Sequence, residues 1–106
     1  MKLPKRYVID IDGTICTQRK DYAKALPFMN RIKVINKLYD EGNEIIFFTA
    51  RGSGTGKVWR SVTEEQLNRW KVKYHRLIFG KPWGDVYIDD RSEKEVWLDV
   101  HCRSRN

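Results

Sequence analysis

The stretch Tyr7-Val8-Ile9-Asp10-Ile11-Asp12-Gly13-Thr14 decides how the rest of the chain is read. A short β-favouring run meets an acid, a second acid follows two positions later, and a glycine stops the run. This predicts a buried strand over residues 7–10. Residues two apart on an extended chain project to the same side, roughly 6.5–7 Å apart. Asp10 and Asp12 are therefore expected to present two carboxylates in one direction, with Gly13 allowing the backbone to turn sharply behind them. Such a pair can divide labour: one carboxylate attacks or binds a cation and the other handles protons, when their surroundings differ. Taken alone, the same residues also read as turn-forming aspartates before a glycine.

Downstream, apolar residues recur at Phe28, Ile32, Ile35 and Tyr39, with Val34 and Leu38 beside them. The spacing predicts a helix over residues 28–41, with Pro27 in its first turn and Gly42 as its stop. Residues 45–49 read as a second buried strand, followed by a glycine-rich loop from Arg51 to about Lys57. Thr63 with Gln66 has the spacing of a reciprocal capping box and is expected to open a second helix carrying Leu67, Trp70 and Tyr74. Residues 77–79 and 86–88 read as two more strands. Ser92 with Glu95 opens a last helix with Val96 and Trp97, and residues 103–106 form a frayed tail.

Strand, helix, strand, helix, strand, strand, helix predicts an α/β fold. Its form is a three-layer, Rossmann-like, mostly parallel sheet with helices on both faces. Residues 1–106 are read as one domain, without repeat or linker. Ligands of such sheets bind at the carboxyl ends of the strands. Those ends carry polar groups that packing does not require: Asp10, then Thr49 in Phe48-Thr49-Ala50-Arg51, then Lys81 in Gly80-Lys81-Pro82, then Asp89-Asp90 after Tyr87-Ile88.

This ordered series resembles the four motifs of the haloacid dehalogenase-like phosphohydrolase superfamily over residues 7–91. The resemblance implies that Asp10 is a nucleophile forming an aspartyl-phosphate. It implies that Asp12 is the acid for the leaving oxygen and then the base for water. Thr49 would bond the phosphoryl group, and Lys81 would balance its charge. Asp10, the Asp12 backbone carbonyl and Asp89 would hold Mg²⁺, with Asp90 supporting them or binding through water. The chemistry is coherent: a carboxylate attacks a phosphate dianion poorly unless positive charge screens the two. The acyl phosphate also divides one hard displacement into two easier ones.

The chain has no room for the cap domain that many relatives insert. This predicts large substrates that close the site themselves, or a homo-oligomer whose neighbouring subunit supplies a lid. Residues 10–16 (DIDGTIC), Tyr22, Ala25, Pro27, residues 35–39 and 48–52, Gln66-Leu67, Trp70, Tyr74-His75 and residues 80–82 are further similar to small bacterial phosphatases of capsule and surface-polysaccharide biosynthesis. A phosphorylated sugar or polyol is the substrate this implies.

A net charge of +7, from 21 Lys and Arg against 14 Asp and Glu, favours acidic partners without choosing among them. A nucleotide or nucleic-acid-end phosphatase, and a basic binding module without catalysis, are the alternatives. Nucleic acid is the less favoured partner. Arg51, Lys57 and Arg60 are candidate contacts for a second acidic group of the substrate, or else a solvated basic loop. Gly56-Lys57 is not the end of a phosphate-cradling P-loop, because the required Gly and Ser/Thr positions hold Arg51 and Val58. Trp59 and Trp83 read as packing, with a substrate wall or subunit contact as the alternative. Cys16 reads as packing, His75 as structural, and His101 has no assigned role. No apolar run approaches the about 18 residues of a membrane span, and no export signal is read at the start. Two cysteines, too few for a disulfide framework, fit a reducing cytoplasm.

Overall fold

Strand β1, Arg6–Asp10, forms where the apolar run places Val8 and Ile9 side by side with no room for water around either. The computed structural model describes residues 4–52, 58–79 and 86–88. Four strands form one parallel sheet in the order β3-β2-β1-β4, with β2 Glu44–Thr49, β3 Arg76–Phe79 and β4 Val86–Ile88. β1 lies between β2 and β4, so the strand ending at Asp10 is central. The chain runs outward from β1 through β2 to β3, then returns to the other side of β1. That reversal creates a switch point at the carboxyl end of β1, the position at which open α/β sheets receive ligands.

Register places Tyr7 opposite Ile45 and Ile9 opposite Phe47. These four pack in one core with Ile32 and Ile35 of α1 (Met29–Asp40), Leu67 of α2 (Arg60–Arg69) and Ile88 of β4. Val8 and Ile46, on the opposite face by the strand period of two, are fully buried as well. Both faces of the sheet are covered, as parallel sheets require. The expected α/β architecture is present. The connections among the described residues hold short turns and single helices, and no cap domain.

Several boundaries differ from expectation. α1 begins at Met29 rather than in the turn containing Pro27, which instead forms an antiparallel bridge with Cys16. A 3-10 turn at Tyr22–Lys24, held by Asp21 accepting from the Ala23 N–H at 3.1 Å, was not anticipated. α2 begins at Arg60, so Thr63 lies inside the helix and is not its cap. The spacing of a capping box also puts two side chains on one helix face, and here that face is buried. The expected helix after Ser92, together with Lys57, Lys81, Trp83, Asp89, Asp90 and His101, lies outside the described residues.

His75 is structural. Its Nδ1 accepts from the Ile45 N–H at 3.0 Å and its own N–H donates to the Ile45 carbonyl at 2.8 Å, while its ring stacks on Tyr39. No helix among the described residues is long and apolar enough to cross a membrane.

The helices α1 and α2 end in the same backbone device. After α1, the Gly42 N–H donates to the Tyr39 carbonyl at 3.0 Å and Asn43 to that of Leu38 at 3.2 Å. After α2, Lys71 donates to Asn68 at 3.0 Å and Val72 to Leu67 at 2.9 Å. The motif needs a left-handed residue, supplied by Gly42 at φ 95° and by Lys71 at φ 57°. A Cβ at Gly42 meets no atom within 4 Å, so its cost is conformational alone. Gly42→Ala is expected to lower stability by about 1 kcal/mol, and Lys71→Gly to raise it by up to about 1 kcal/mol, in denaturant titrations.

Candidate active site

The turn after β1 is built by its backbone. Gly13, at φ 84°, donates to the Cys16 carbonyl at 2.8 Å, and Thr14 and Ile15 both donate to Ile11. Arg31 of α1 reaches back to the Thr14 carbonyl at 3.0 Å. The Asp10 carboxylate accepts from the Ile11 N–H at 2.8 Å, which sets its Oδ1 against the start of the turn. Asp12 sits one step further on, bridged to Cys16.

Beyond the turn the chain doubles back. Thr17 donates to the Leu26 carbonyl at 2.9 Å, the Leu26 N–H donates to Thr17 Oγ1 at 2.9 Å, and Phe28 donates to Ile15 at 2.7 Å. The segment between these closures carries Gln18, Arg19, Lys20 and Tyr22 to one wall of an open cleft of about 530 Å³, whose remaining lining among the described residues is Asp10, Asp12, Ala50 and Arg51. That volume is in the range of small-molecule sites. The role of this segment as a cleft wall was missed in the sequence, and the run Gln18-Arg19-Lys20 carries no motif that would have announced it.

Arg51 is the main surprise. It was expected to meet a second acidic group on the substrate, yet its side chain is fully buried and already engaged. Nε and Nη2 donate to the two oxygens of Asp12, at 2.9 and 2.8 Å. Nη1 donates to Thr63 Oγ1 at 3.0 Å and to Gln66 Oε1 at 2.7 Å. The guanidinium also lies over the Tyr22 ring, 4.8 Å from its centroid. A guanidinium removed from water must be paired with a carboxylate and have its N–H groups satisfied, and these partners do both. Thr63 and Gln66, read as a capping box, are thus the two α2 side chains that hold Arg51.

Thr49 ends β2 almost fully buried, and its hydroxyl oxygen accepts from the Arg51 backbone N–H at 3.1 Å. It directly precedes Ala50 and Arg51 of the cleft lining, and its hydroxyl proton is left to donate. Arg60 does not line the cleft: it pairs with Glu64 at 3.6 Å and covers the Phe79 ring. Trp59 packs edge-on against Tyr22 with centroids 4.9 Å apart, so it backs the wall from behind. Of the residues expected at the site, Asp10, Asp12, Thr49 and Arg51 come together. Lys81, Asp89 and Asp90 lie outside the described residues.

In fold, the chain is similar to the crystal structure of a structural-genomics target from Vibrio cholerae, with TM-score 0.68 and 27% identity over 96% of this chain and 99% of that one. It is also similar to a chain of a Pnkp1/Rnl/Hen1 complex, with TM-score 0.60 and 20% identity over 92% of this chain; it spans only 33% of that chain's length. No protein-family model and no curated protein matches the chain.

Cys16 lies beneath Asp12, its Sγ 3.7 Å from Asp12 Oδ1. Burial, reinforced by the Asp12 carboxylate and partly opposed by Arg51, pushes its thiol from 9.0 up to about 12. A thiol held neutral is neither nucleophile nor metal ligand. At pH 8, alkylating reagents are expected to leave Cys16 unmodified in the native protein and to label it after unfolding, as read by peptide mass spectrometry. The raised value also has a sign: this stabilisation is full below pH 9.0 and is lost as pH rises toward about 12. The stability gap between wild type and Cys16→Ala should narrow over that interval.

Proposed function

We propose that the protein is a Mg²⁺-dependent phosphomonoester hydrolase of the haloacid dehalogenase-like type, with Asp10 as its nucleophile. The observation that carries this reading is the placement of two carboxylates with unlike surroundings at the carboxyl end of the central strand. Asp10 is set against the turn and Asp12 is clamped by a buried guanidinium, and both open on one cleft of small-molecule size. Paired acids kept in different environments are what a two-step displacement needs.

The donor chemistry fits a hard cation. Asp10 and the Asp12 backbone carbonyl offer only oxygen, the donor atom that Mg²⁺ takes. Asp89 and Asp90, which follow β4 in sequence, are the residues expected to complete the set. When bound, Mg²⁺ screens the repulsion between the nucleophile and the phosphate.

The Asp10 carboxylate attacks phosphorus and forms an acyl phosphate as the bond to the leaving oxygen breaks. Asp12 gives that oxygen a proton, then takes one from the water that attacks the acyl phosphate, which restores Asp10. Thr49 donates its hydroxyl proton to a phosphoryl oxygen, and Lys81 balances the accumulated charge. Acid–base help of this kind supplies ~10² to 10⁴ in rate, so positioning and charge stabilisation supply most of the rest.

The cleft volume favours a small phosphomonoester, and the motif context favours a sugar or polyol phosphate in the cytoplasm. A second reading, a phosphatase of nucleic-acid ends, draws on the exposed Arg19 and Lys20 at the rim of the open cleft.

A panel of phosphoesters assayed with Mg²⁺ tests the proposal. Activity is expected to vanish with chelator and to fall to the catalyst-free background in Asp10→Asn. Asp12→Asn should lose roughly 10² to 10⁴ in kcat. Turnover that survives Asp10→Asn sinks the mechanism. Preference for terminally phosphorylated oligonucleotides, with a steep salt dependence, would replace the small-molecule reading with the second one.

A further inference from the structure

We propose that Arg51 is a positioning residue for Asp12: locked to α2, it sets the plane of the Asp12 carboxylate and so governs proton delivery without itself touching the substrate. This rests on the hydrolase reading above.

A carboxylate held through one oxygen can swing about its side-chain bonds, but one held through both oxygens by a planar fork has its plane determined. Asp12 is held in the second way, by Nε and Nη2 of Arg51. The fork and the Cys16 thiol together take three of the roughly four acceptor directions of the carboxylate, leaving one for proton exchange with a leaving group or water. Asp12 keeps some exposure to the cleft, whereas the Arg51 side chain has none.

Arg51 is itself immobilised by partners that are oriented in turn. Thr63 donates its hydroxyl to the Trp59 carbonyl at 2.8 Å, which turns its oxygen lone pairs toward Arg51 Nη1. Gln66 donates its amide to the Tyr22 carbonyl at 2.6 Å, which leaves its oxygen facing Arg51 and prevents the opposite amide orientation. The Arg51 backbone is tied to Thr49 at the end of β2. A continuous path of directional bonds thus runs from α2 and β2 through one guanidinium to the acid at the end of β1.

Of five N–H groups on the guanidinium, one at Nε, two at Nη1 and one at Nη2 already donate within the protein. With its charge matched by Asp12 and one N–H remaining, Arg51 is a poor receptor for a substrate anion. The exposed Arg19 and Lys20 on the cleft wall are better placed for that task.

The test uses leaving groups. A general acid matters greatly when an alkoxide departs and little when p-nitrophenolate departs, because the latter needs no proton. We would compare kcat/KM for glycerol 1-phosphate and p-nitrophenyl phosphate in wild type, Arg51→Lys and Gln66→Leu, with Asp10→Asn as the control for the reaction itself. Lysine keeps the charge and loses the fork. Gln66→Leu leaves the Arg51–Asp12 pair and removes its support, so it carries the same prediction should Arg51→Lys fail to fold by circular dichroism.

The expected result is a loss of about 10- to 100-fold on the alkyl ester with the aryl ester nearly unchanged, the scale on which small misplacements of catalytic groups act. Equal losses on both esters with raised KM would make Arg51 a substrate contact and overturn the proposal. Unchanged kinetics on both esters, with only a lowered Tm, would make the cluster a structural ion pair and overturn it also. Activity that persists in Asp10→Asn would instead fail the hydrolase reading, and the proposal with it.

Discussion

A guanidinium taken out of water must be met by a carboxylate and by enough oxygen acceptors to satisfy its N–H groups, and the cleft is arranged around meeting that demand. Asp12 supplies the charge, while Thr63 and Gln66 of α2 supply the remaining acceptors. The π face of Tyr22 receives the guanidinium from the cleft-wall side. One cation thereby joins the ends of two neighbouring strands, a helix and the wall of the cleft. Removing any acceptor would leave a buried donor unsatisfied, so these residues are constrained together rather than one by one.

The same arrangement divides the positive charge of the chain into two kinds. The Arg51 charge is internal, paired and directional. The charges of Arg19 and Lys20 are exposed to solvent at the cleft rim. Exposed charges attract anions over distance and are screened by salt, whereas a buried pair is screened little and acts through geometry. A surplus of positive charge read from composition cannot tell these apart, although they act in different ways.

The strands were legible in the sequence because short apolar runs stopped by Asp, Thr or Gly leave few alternatives, and β1, β2 and β4 lie within one residue of where those runs placed them. The stop at Gly42 was legible because a left-handed residue has a local signature. The use of Thr63 and Gln66 was not: their spacing of three fits a cap and a shared helix face equally well, and the choice depends on Arg51, twelve and fifteen residues away. For the same reason Arg51 read as a free cation. Its fate is decided by Asp12, distant in sequence, and pairing across the fold leaves no periodic trace. Asp10, Asp12 and Thr49 were legible because strand ends of a parallel sheet converge by topology alone.

The buried side chains of α2 are Thr63, Gln66 and Leu67, so two of the three are polar. Both polar side chains are tied to the rest of the fold by directional bonds, to Arg51 and, through Gln66, to the Tyr22 carbonyl. Apolar contact weakens gradually as surfaces separate, but hydrogen bonds to a fixed guanidinium are lost over a short displacement. Local opening of α2 therefore withdraws both acceptors of Arg51 Nη1 and leaves Nε and Nη2 to hold Asp12 without that support. Amide exchange along residues 63–67 would report on the support of the guanidinium as well as on the helix.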